Sequence, residues 1–253
     1  MECAAMCNAA CVETAESAGC AVCERSDGAA REETGLDRSE AAAAEFARAL
    51  AFAGNSFLAP MSQTSDAGLD RTFWAAFPDF GSEEVARALD GLFAWAAEGE
   101  HVPRAERVRA VSVEYARLFI GPPEPAVAPW ESFYVQEGVT NGFGEPTFRM
   151  RERLRQAGLE VSNENNQYAD HVGIELLYGS ALAQRAAADG LAKAGEAALL
   201  KSFVEADLAP WFEQFAAALH EAGATYYGLL ADLVGGLLGV VRAVSPDALT
   251  PAA

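Results

Sequence analysis

The sequence lacks a run of about 20 apolar residues, the length that a helix needs to cross a bilayer. Its longest apolar stretch, 229–241, is too short for a span and is interrupted by Asp232 and three glycines. The amino terminus also lacks a basic segment followed by an apolar one, the pattern of a secretory signal. These absences predict a cytoplasmic protein without a membrane span.

Basic residues are scarce, with 18 Lys and Arg against 37 Asp and Glu, and the formal net charge is −19. A field of this sign repels phosphate backbones and anionic lipid headgroups. Nucleic acid and membrane surfaces are therefore excluded as expected partners, and cationic peptides or proteins are favoured. The alternative is that the acidity serves only solubility.

The common signatures of catalysis are missing from the chain. It has no Gly-x-x-x-x-Gly-Lys-Ser/Thr phosphate loop, no glycine fingerprint after a strand and no Gly-x-Ser-x-Gly elbow. Only three histidines occur, and no cysteine follows position 23. We therefore predict a protein that is not an enzyme and that carries no cofactor.

All five cysteines lie within the first 23 residues, so they cannot staple a folded domain. The surrounding segment, 1–37, is acidic and poor in large apolar residues, which predicts a disordered tail with free thiols. Two alternatives stay open. Cys20 and Cys23 form one half of a zinc or iron–sulfur pattern, and neighbouring thiols could also pair by oxidation.

From about residue 38 onward, apolar residues recur at helical spacing, and the period-two alternation of strands is essentially absent. We predict an all-α helical bundle over 38–242, with halves at 38–120 and 145–242 and a second tail at 243–253. The segment 121–144 contains four prolines and begins Gly-Pro-Pro, which ends the preceding helix. It predicts an ordered, non-helical crossover, and loops of this length are usually functional.

Helix positions follow from caps and apolar spacing. Ser82 is a good N-cap, and the apolar stripe behind it comprises Val85, Leu89, Leu92, Phe93 and Ala96. After the crossover, helices are predicted near 146–157, 167–188, 194–206, 208–222 and 224–242.

Asp170 and His171 stand near the start of the predicted helix 167–188, and Glu175 lies one turn below His171 on the same face. The arrangement is compatible with a helix cap and a partly buried histidine bonded to a carboxylate. Ligand contact, an acid–base pair and a partial metal site remain alternatives.

Large aromatic side chains stand in the proline-rich crossover, namely Trp130, Phe133 and Tyr134, beside Glu131 and Ser132. They could line a groove for a ligand or anchor the crossover to the helices. Tyr115, Leu118 and Phe119, at the end of the preceding helix, have the spacing of a core stripe.

Three motifs in this chain closely resemble the TorD/DmsD family of molybdoenzyme chaperones, the redox enzyme maturation proteins. The first is EYARLFIGPP followed by PAVAPWESFY over 114–134, and the second is YADHVGIE over 168–175. The third comprises Phe203, Leu208, Trp211 and Phe215, with Asp207 where a histidine is common in the family. The resemblance spans roughly 40–242 in the family's order.

The resemblance implies an all-helical chaperone. The long central crossover would permit exchange of halves, so a monomer and a domain-swapped dimer both stay open. Such a chaperone would bind the twin-arginine signal peptide and the apo form of a molybdopterin-containing oxidoreductase until the molybdopterin cofactor is inserted. The predicted peptide site comprises Tyr115, Leu118, Phe119, Trp130, Glu131, Ser132, Tyr134, Asp170, His171 and Glu175. The competing hypotheses are a metal- or cluster-carrying protein that uses Cys20 and Cys23, and a helical enzyme that uses Asp170, His171 and Glu175.

Overall fold

A computed structural model describes residues 35–121, 124–136, 138, 143–161, 167–187 and 192–243 of the chain. The predicted acidic tail up to residue 34, including Cys20 and Cys23, and the predicted tail after 243 lie outside these residues. Within them the chain is all-α, as predicted, and no strand occurs. The helices are α1 Gly35–Leu58, α2 Arg71–Ala75, α3 Glu83–Glu98, α4 Arg104–Tyr115, α5 Ser132–Val135, α6 Glu145–Gln156, α7 Val172–Ala187, α8 Ala192–Phe203, α9 Ala209–Glu221 and α10 Tyr226–Ala243.

The core is built around α1, α7 and α10. Helix α1 packs along α7, and α10 packs against α3 and α9. The axes of α1 and α7 come close because glycine faces glycine. A Cβ on Gly54 would lie 2.9 Å from the carbonyl oxygen of Gly173, and one on Gly173 would lie 2.7 Å from that of Gly54. The close approach brings the start of α7 against the end of α1.

The amino-terminal half follows the sequence-based expectation with one exception. The Ser82 hydroxyl accepts a hydrogen bond from the Val85 amide at 3.3 Å, which confirms the N-cap of α3. Val85, Leu89, Leu92 and Ala96 are buried, whereas Phe93 is 38% exposed. Phe93 follows Leu92 directly and points about 100° further around the helix, so it lies at the edge of the stripe.

Three features differ from the prediction. Helix α1 begins at Gly35, inside the predicted tail 1–37. Helix α7 begins at Val172 rather than at 167, because 169–171 form a turn that bonds to the crossover. The crossover contains a short helix, Ser132–Val135, where a wholly non-helical path was expected.

Helix α4 continues as a turn of π-helix over Ala116–Ile120 and ends at Gly121, whose φ of 57° suits glycine.

Among the described residues, one helix, Tyr226–Ala243, is long and apolar enough to span a membrane by length and composition. It is the central helix of the core, with Tyr226, Leu230, Leu233 and Leu237 fully buried. Its apolar character is therefore explained by packing inside the bundle.

Candidate functional site

The first motif joins the ends of three other helices. The Glu114 carboxylate accepts hydrogen bonds from the amide and hydroxyl of Thr225 at 2.5 and 2.8 Å and so caps α10. Arg117 donates to the Ala222 carbonyl after α9 at 2.9 Å. The Tyr115 hydroxyl donates to the Leu58 carbonyl at the end of α1 at 3.0 Å, and burial raises the pKa of Tyr115 to about 12. These contacts make the motif a structural junction.

The remaining predicted residues of this motif belong to the core. Leu118 is fully buried and Phe119 is 5% exposed, packed against Phe215 and Tyr227. In this structure neither they nor Tyr115 offers a surface to a peptide. A peptide contact at these positions stays a prediction.

Asp170 fixes the crossover to the body of the protein. Its fully buried carboxylate accepts one hydrogen bond from the Ser132 amide at 3.1 Å and one from the Thr147 hydroxyl at 2.8 Å. Its backbone carbonyl accepts from the Glu131 amide at 3.0 Å. An isolated antiparallel bridge between Trp130 and His171 continues this pairing. The predicted Asp170, Glu131 and Ser132 thus come together, as a tether of the crossover.

His171 is buried and neutral. Burial lowers its pKa to about 3, and its Nδ1 accepts a hydrogen bond from the Gly173 amide at 3.0 Å. The ring proton therefore sits on Nε2, a buried atom for which the described residues offer no hydrogen-bond partner. Glu175 instead accepts from the Trp211 indole at 3.0 Å. The structure thus corrects the expected histidine–carboxylate pair, because each side chain has a different neighbour.

Tyr134 and Trp130 have different roles in the crossover. Tyr134 stacks on Trp211 with ring centroids 5.5 Å apart, and its hydroxyl donates to the Ala128 carbonyl at 2.9 Å. It is therefore an anchor. Trp130 is only half-buried and lies beside Phe133 and Tyr168, at centroid distances of 5.8 and 6.4 Å.

Trp130 belongs to a set of clustered aromatic side chains, which we call the aromatic patch. Phe143 contacts both Phe148 and Tyr168 at 5.2 Å, and Phe143 and Phe148 are 36% and 56% exposed. The patch comprises Trp130, Phe133, Phe143, Phe148 and Tyr168.

Sequence reasoning missed three members of this patch: Phe143, Phe148 and Tyr168. A usable signal existed for Phe148. The core positions Met150 and Leu154 place it on the opposite, solvent-facing side of α6, where a phenylalanine is unexpected.

Next to the patch lies a set of buried carboxyl groups with two arginines, which we call the carboxylate cluster. Arg149 contacts Glu131 at 2.5 Å and Asp207 at 2.9 Å, and Arg153 also pairs with Asp207. Burial raises the pKa of Glu131 to about 7 despite the opposing effect of Arg149, and burial raises the pKa of Glu175 as well. The cluster comprises Glu131, Asp170, Glu175, Asp207, Arg149 and Arg153.

An exposed aromatic patch beside buried carboxyl groups, on an all-helical scaffold, has the chemistry of a binding surface for an apolar and cationic ligand. The family profile described as "Nitrate reductase delta subunit" matches residues 81–217, which is more than half of the chain. The chain belongs to this family, the family of the TorD chaperones.

Its relatives are chaperones rather than enzymes. The chain is 27% identical over 169 residues to chaperone protein TorD of Shewanella pealeana, a match covering 64% of the chain and 70% of the relative. It is 29% identical over 121 residues to the Tat proofreading chaperone DmsD of Salmonella typhi, covering 47% and 54% respectively. The second match thus spans about half of that relative's length. The chain is accordingly a molybdoenzyme maturation chaperone by family and not an enzyme.

A solved structure also resembles the chain. A protein of Archaeoglobus fulgidus assigned to the redox enzyme maturation proteins aligns with a TM-score of 0.44 and 22% identity. The alignment covers 78% of this chain and 93% of that one.

Proposed function

We propose that this protein binds the twin-arginine signal peptide of a molybdenum oxidoreductase in the cytoplasm and assists cofactor insertion before export. Family membership supports the chaperone class, and the name of the Salmonella relative supports a client exported by the twin-arginine route. The proposed partner is the apo form of the oxidoreductase, and the chaperone itself needs no cofactor.

The observation that carries the proposal is the aromatic patch next to the carboxylate cluster. A twin-arginine peptide carries adjacent arginines followed by an apolar segment. Exposed Phe148 and half-buried Trp130 suit the apolar segment, whereas Glu131, next to Trp130 in the chain, suits a guanidinium. The net charge of −19 adds a long-range attraction for such a peptide.

Buried area sets the expected affinity. Covering about 400 Å² of apolar surface contributes on the order of 10 kcal/mol, at about 25 cal/mol per Å². Ordering a flexible peptide cancels much of this gain, so we expect a dissociation constant of roughly micromolar.

Calorimetric titration with a synthetic signal peptide from a molybdoenzyme of the same cell tests the proposal. The control peptide has both arginines replaced by alanine. Micromolar binding that the control peptide loses supports signal-peptide recognition. Absence of binding to any such peptide, in a folded sample, contradicts it.

Two phenylalanine variants locate the site. Phe148→Ala removes the most exposed ring of the patch and should weaken binding about tenfold, because an aromatic anchor contributes a kcal/mol or more. Phe93→Ala is the matched control, since it also removes an exposed phenylalanine but from α3. Equal effects of the two substitutions would exclude the patch.

Asp170 and His171 are expected to act on the peptide through the crossover. Asp170→Asn combined with His171→Ala should lower peptide affinity, because the Asp170 carboxylate bonds to the Ser132 amide and the His171 ring packs against the Trp130 ring at 6.0 Å. Circular dichroism should show that the helices remain. Unchanged affinity in the double variant would remove this pair from the site.

A further inference from the structure

Arg149 is held by three carboxylates from three parts of the chain. Its guanidinium contacts Glu131 of the crossover at 2.5 Å, Glu145 of its own helix at 2.5 Å, and Asp207 of the π-helical turn at 2.9 Å. Its side chain is 32% exposed, whereas those of Glu131 and Asp207 are 5% and 10% exposed. Arg149 therefore lies on the solvent side of the two carboxylates that it covers.

The carboxylate cluster contains more acidic groups than its arginines can neutralise. Of its four carboxyl groups, Glu131 and Asp207 pair with Arg149 or Arg153, whereas Asp170 and Glu175 accept hydrogen bonds from uncharged donors. The raised pKa values of Glu131 and Glu175 are a consequence, because each carboxyl is buried beside other acids. A cation bound beside Glu131 would therefore displace a proton from the cluster.

A second observation points to a ligand at this place. Ser132, next to Glu131 in the chain and fully buried, has a hydroxyl oxygen without a hydrogen-bond partner among the described residues. The indole nitrogen of Trp130, which precedes Glu131 in the chain, is also buried without a partner in the described part of the chain. Buried polar atoms without partners cost free energy. A guanidinium N–H of a bound peptide would satisfy the hydroxyl oxygen, and a carbonyl of that peptide would satisfy the indole N–H.

We propose that Arg149 occupies, in the free protein, the place that an arginine of the bound peptide takes. It is an internal competitor that must move before a client guanidinium reaches Glu131 and Asp207. This inference rests on the proposed peptide-binding function and deepens it.

The chain order supports a continuous site. Phe148 of the aromatic patch directly precedes Arg149, and Trp130 directly precedes Glu131. An apolar segment on the patch would therefore carry its flanking arginines to the cluster. A guanidinium fits better than an ammonium, because the planar fork can bridge two carboxylates as Arg149 now does.

Removing the competitor tests the proposal with the peptide. Arg149→Gln should bind the twin-arginine peptide about tenfold more tightly than the unsubstituted protein, because a site that is mostly occupied lowers the apparent affinity. A peptide with two lysines should gain less. Arg155→Gln is the matched control, since Arg155 lies on the same helix and its ion pair within the described residues is with exposed Glu152. Equal or weaker peptide binding by Arg149→Gln overturns the proposal.

If Arg149→Gln does not fold, Arg149→Lys keeps the positive charge without the fork. It should still bind the twin-arginine peptide more tightly than the unsubstituted protein does. Equal or weaker binding by this variant would likewise overturn the proposal.

A small-molecule test separates this inference from the proposed function. Millimolar ethylguanidinium should raise the melting temperature of Arg149→Gln, or of Arg149→Lys if that is the folded variant. Ethylguanidinium should raise the melting temperature of this variant more than it raises the melting temperature of Arg155→Gln. Ethylammonium should not produce this difference between the variants. A rise in melting temperature confined to the Arg149 variant supports a guanidinium-binding site at this position even if no signal peptide binds. Equal shifts in all variants overturn the proposal.

Discussion

Glu131 and His171 are buried where the crossover is tethered to the start of α7, and burial shifts their pKa values in opposite directions. It raises the pKa of Glu131 to about 7 and lowers that of His171 to about 3. Between pH 4.5 and 7 the folded state holds a proton on Glu131 that the unfolded state releases. The contribution of Glu131 to the free energy of unfolding therefore falls as the pH rises through this range. His171 is neutral in the folded state, so its stabilisation is lost as pH falls below about 6.5.

In mildly acidic solution the two residues therefore contribute opposite pH dependences to the free energy of unfolding. Glu131→Gln should remove the contribution of Glu131 and leave that of His171. The free energy of unfolding of this variant, minus that of the unsubstituted protein, should increase by about 1 kcal/mol per unit between pH 5 and 6.5. Urea unfolding across this range measures the slope. Glu145→Gln is the control, because it removes an exposed carboxylate from the same Arg149. A flat difference for Glu131→Gln would show that its carboxyl is ionised throughout.

Sequence reasoning singled out Asp170, His171 and Glu175, all of which are buried in the structure, but it could not assign their partners. Asp170 bonds to Ser132 and Thr147, which are 38 and 23 positions away. Such contacts have no local pattern, since they depend on how the crossover lies against α6 and α7. The sequence therefore indicated the importance of Asp170 but not its role in tethering the crossover.

At the scale of the helices, Glu114 of α4 is the N-terminal cap of α10. It accepts hydrogen bonds from Thr225 and from the Tyr226 amide, and a carboxylate there also interacts favourably with the helix dipole. Glu114→Ala should therefore lower the free energy of unfolding by about 1–2 kcal/mol. Chemical denaturation measures it, with Glu106→Ala, an exposed position of the same helix, as the control. Equal stability of the two variants would contradict the capping role.

The contact between α1 and α7 depends on two glycines. A methyl group at Gly54 would lie 2.9 Å from a backbone oxygen, which cannot move without shifting α7. Gly54→Ala should therefore destabilise the protein by about 2 kcal/mol. Gly235→Ala, in the middle of α10 with nothing near its Cβ, should instead stabilise it by about 0.5–1 kcal/mol. The melting temperatures of both variants test these two predictions. A higher melting temperature for Gly54→Ala than for the unsubstituted protein would disprove the close approach of α1 and α7.

The elements themselves were largely predictable, for physical reasons. Ser82 and the stripe containing Val85 and Leu89 are local signals, and they located α3 correctly. The start of α7 was misplaced by five residues, because the turn before it is held by backbone bonds to the crossover. Helix propensity does not contain such long-range information.

For the whole molecule, the all-α architecture followed from helical spacing, whereas the aromatic patch did not. The patch combines Trp130 and Phe133 of the crossover, Phe143 and Phe148 near α6, and Tyr168 before α7. Only the folded chain brings these three segments together. The net charge, by contrast, is a property of the sequence alone, and it has a consequence for binding that needs no structural detail.

The charge of −19 should make association with a cationic peptide depend on salt. The Debye length falls from about 10 Å at 0.1 M to about 3 Å at 1 M salt, so added salt removes long-range attraction but leaves apolar contacts intact. Between 50 and 500 mM NaCl we expect the dissociation constant to rise roughly tenfold, mainly through slower association. Stopped-flow fluorescence with a labelled peptide separates the two rate constants. Phe148→Ala should bind more weakly at every salt concentration while keeping the same salt dependence, because it removes apolar area and no charge. If salt left the association rate unchanged, the acidic surface would contribute to solubility and not to recognition.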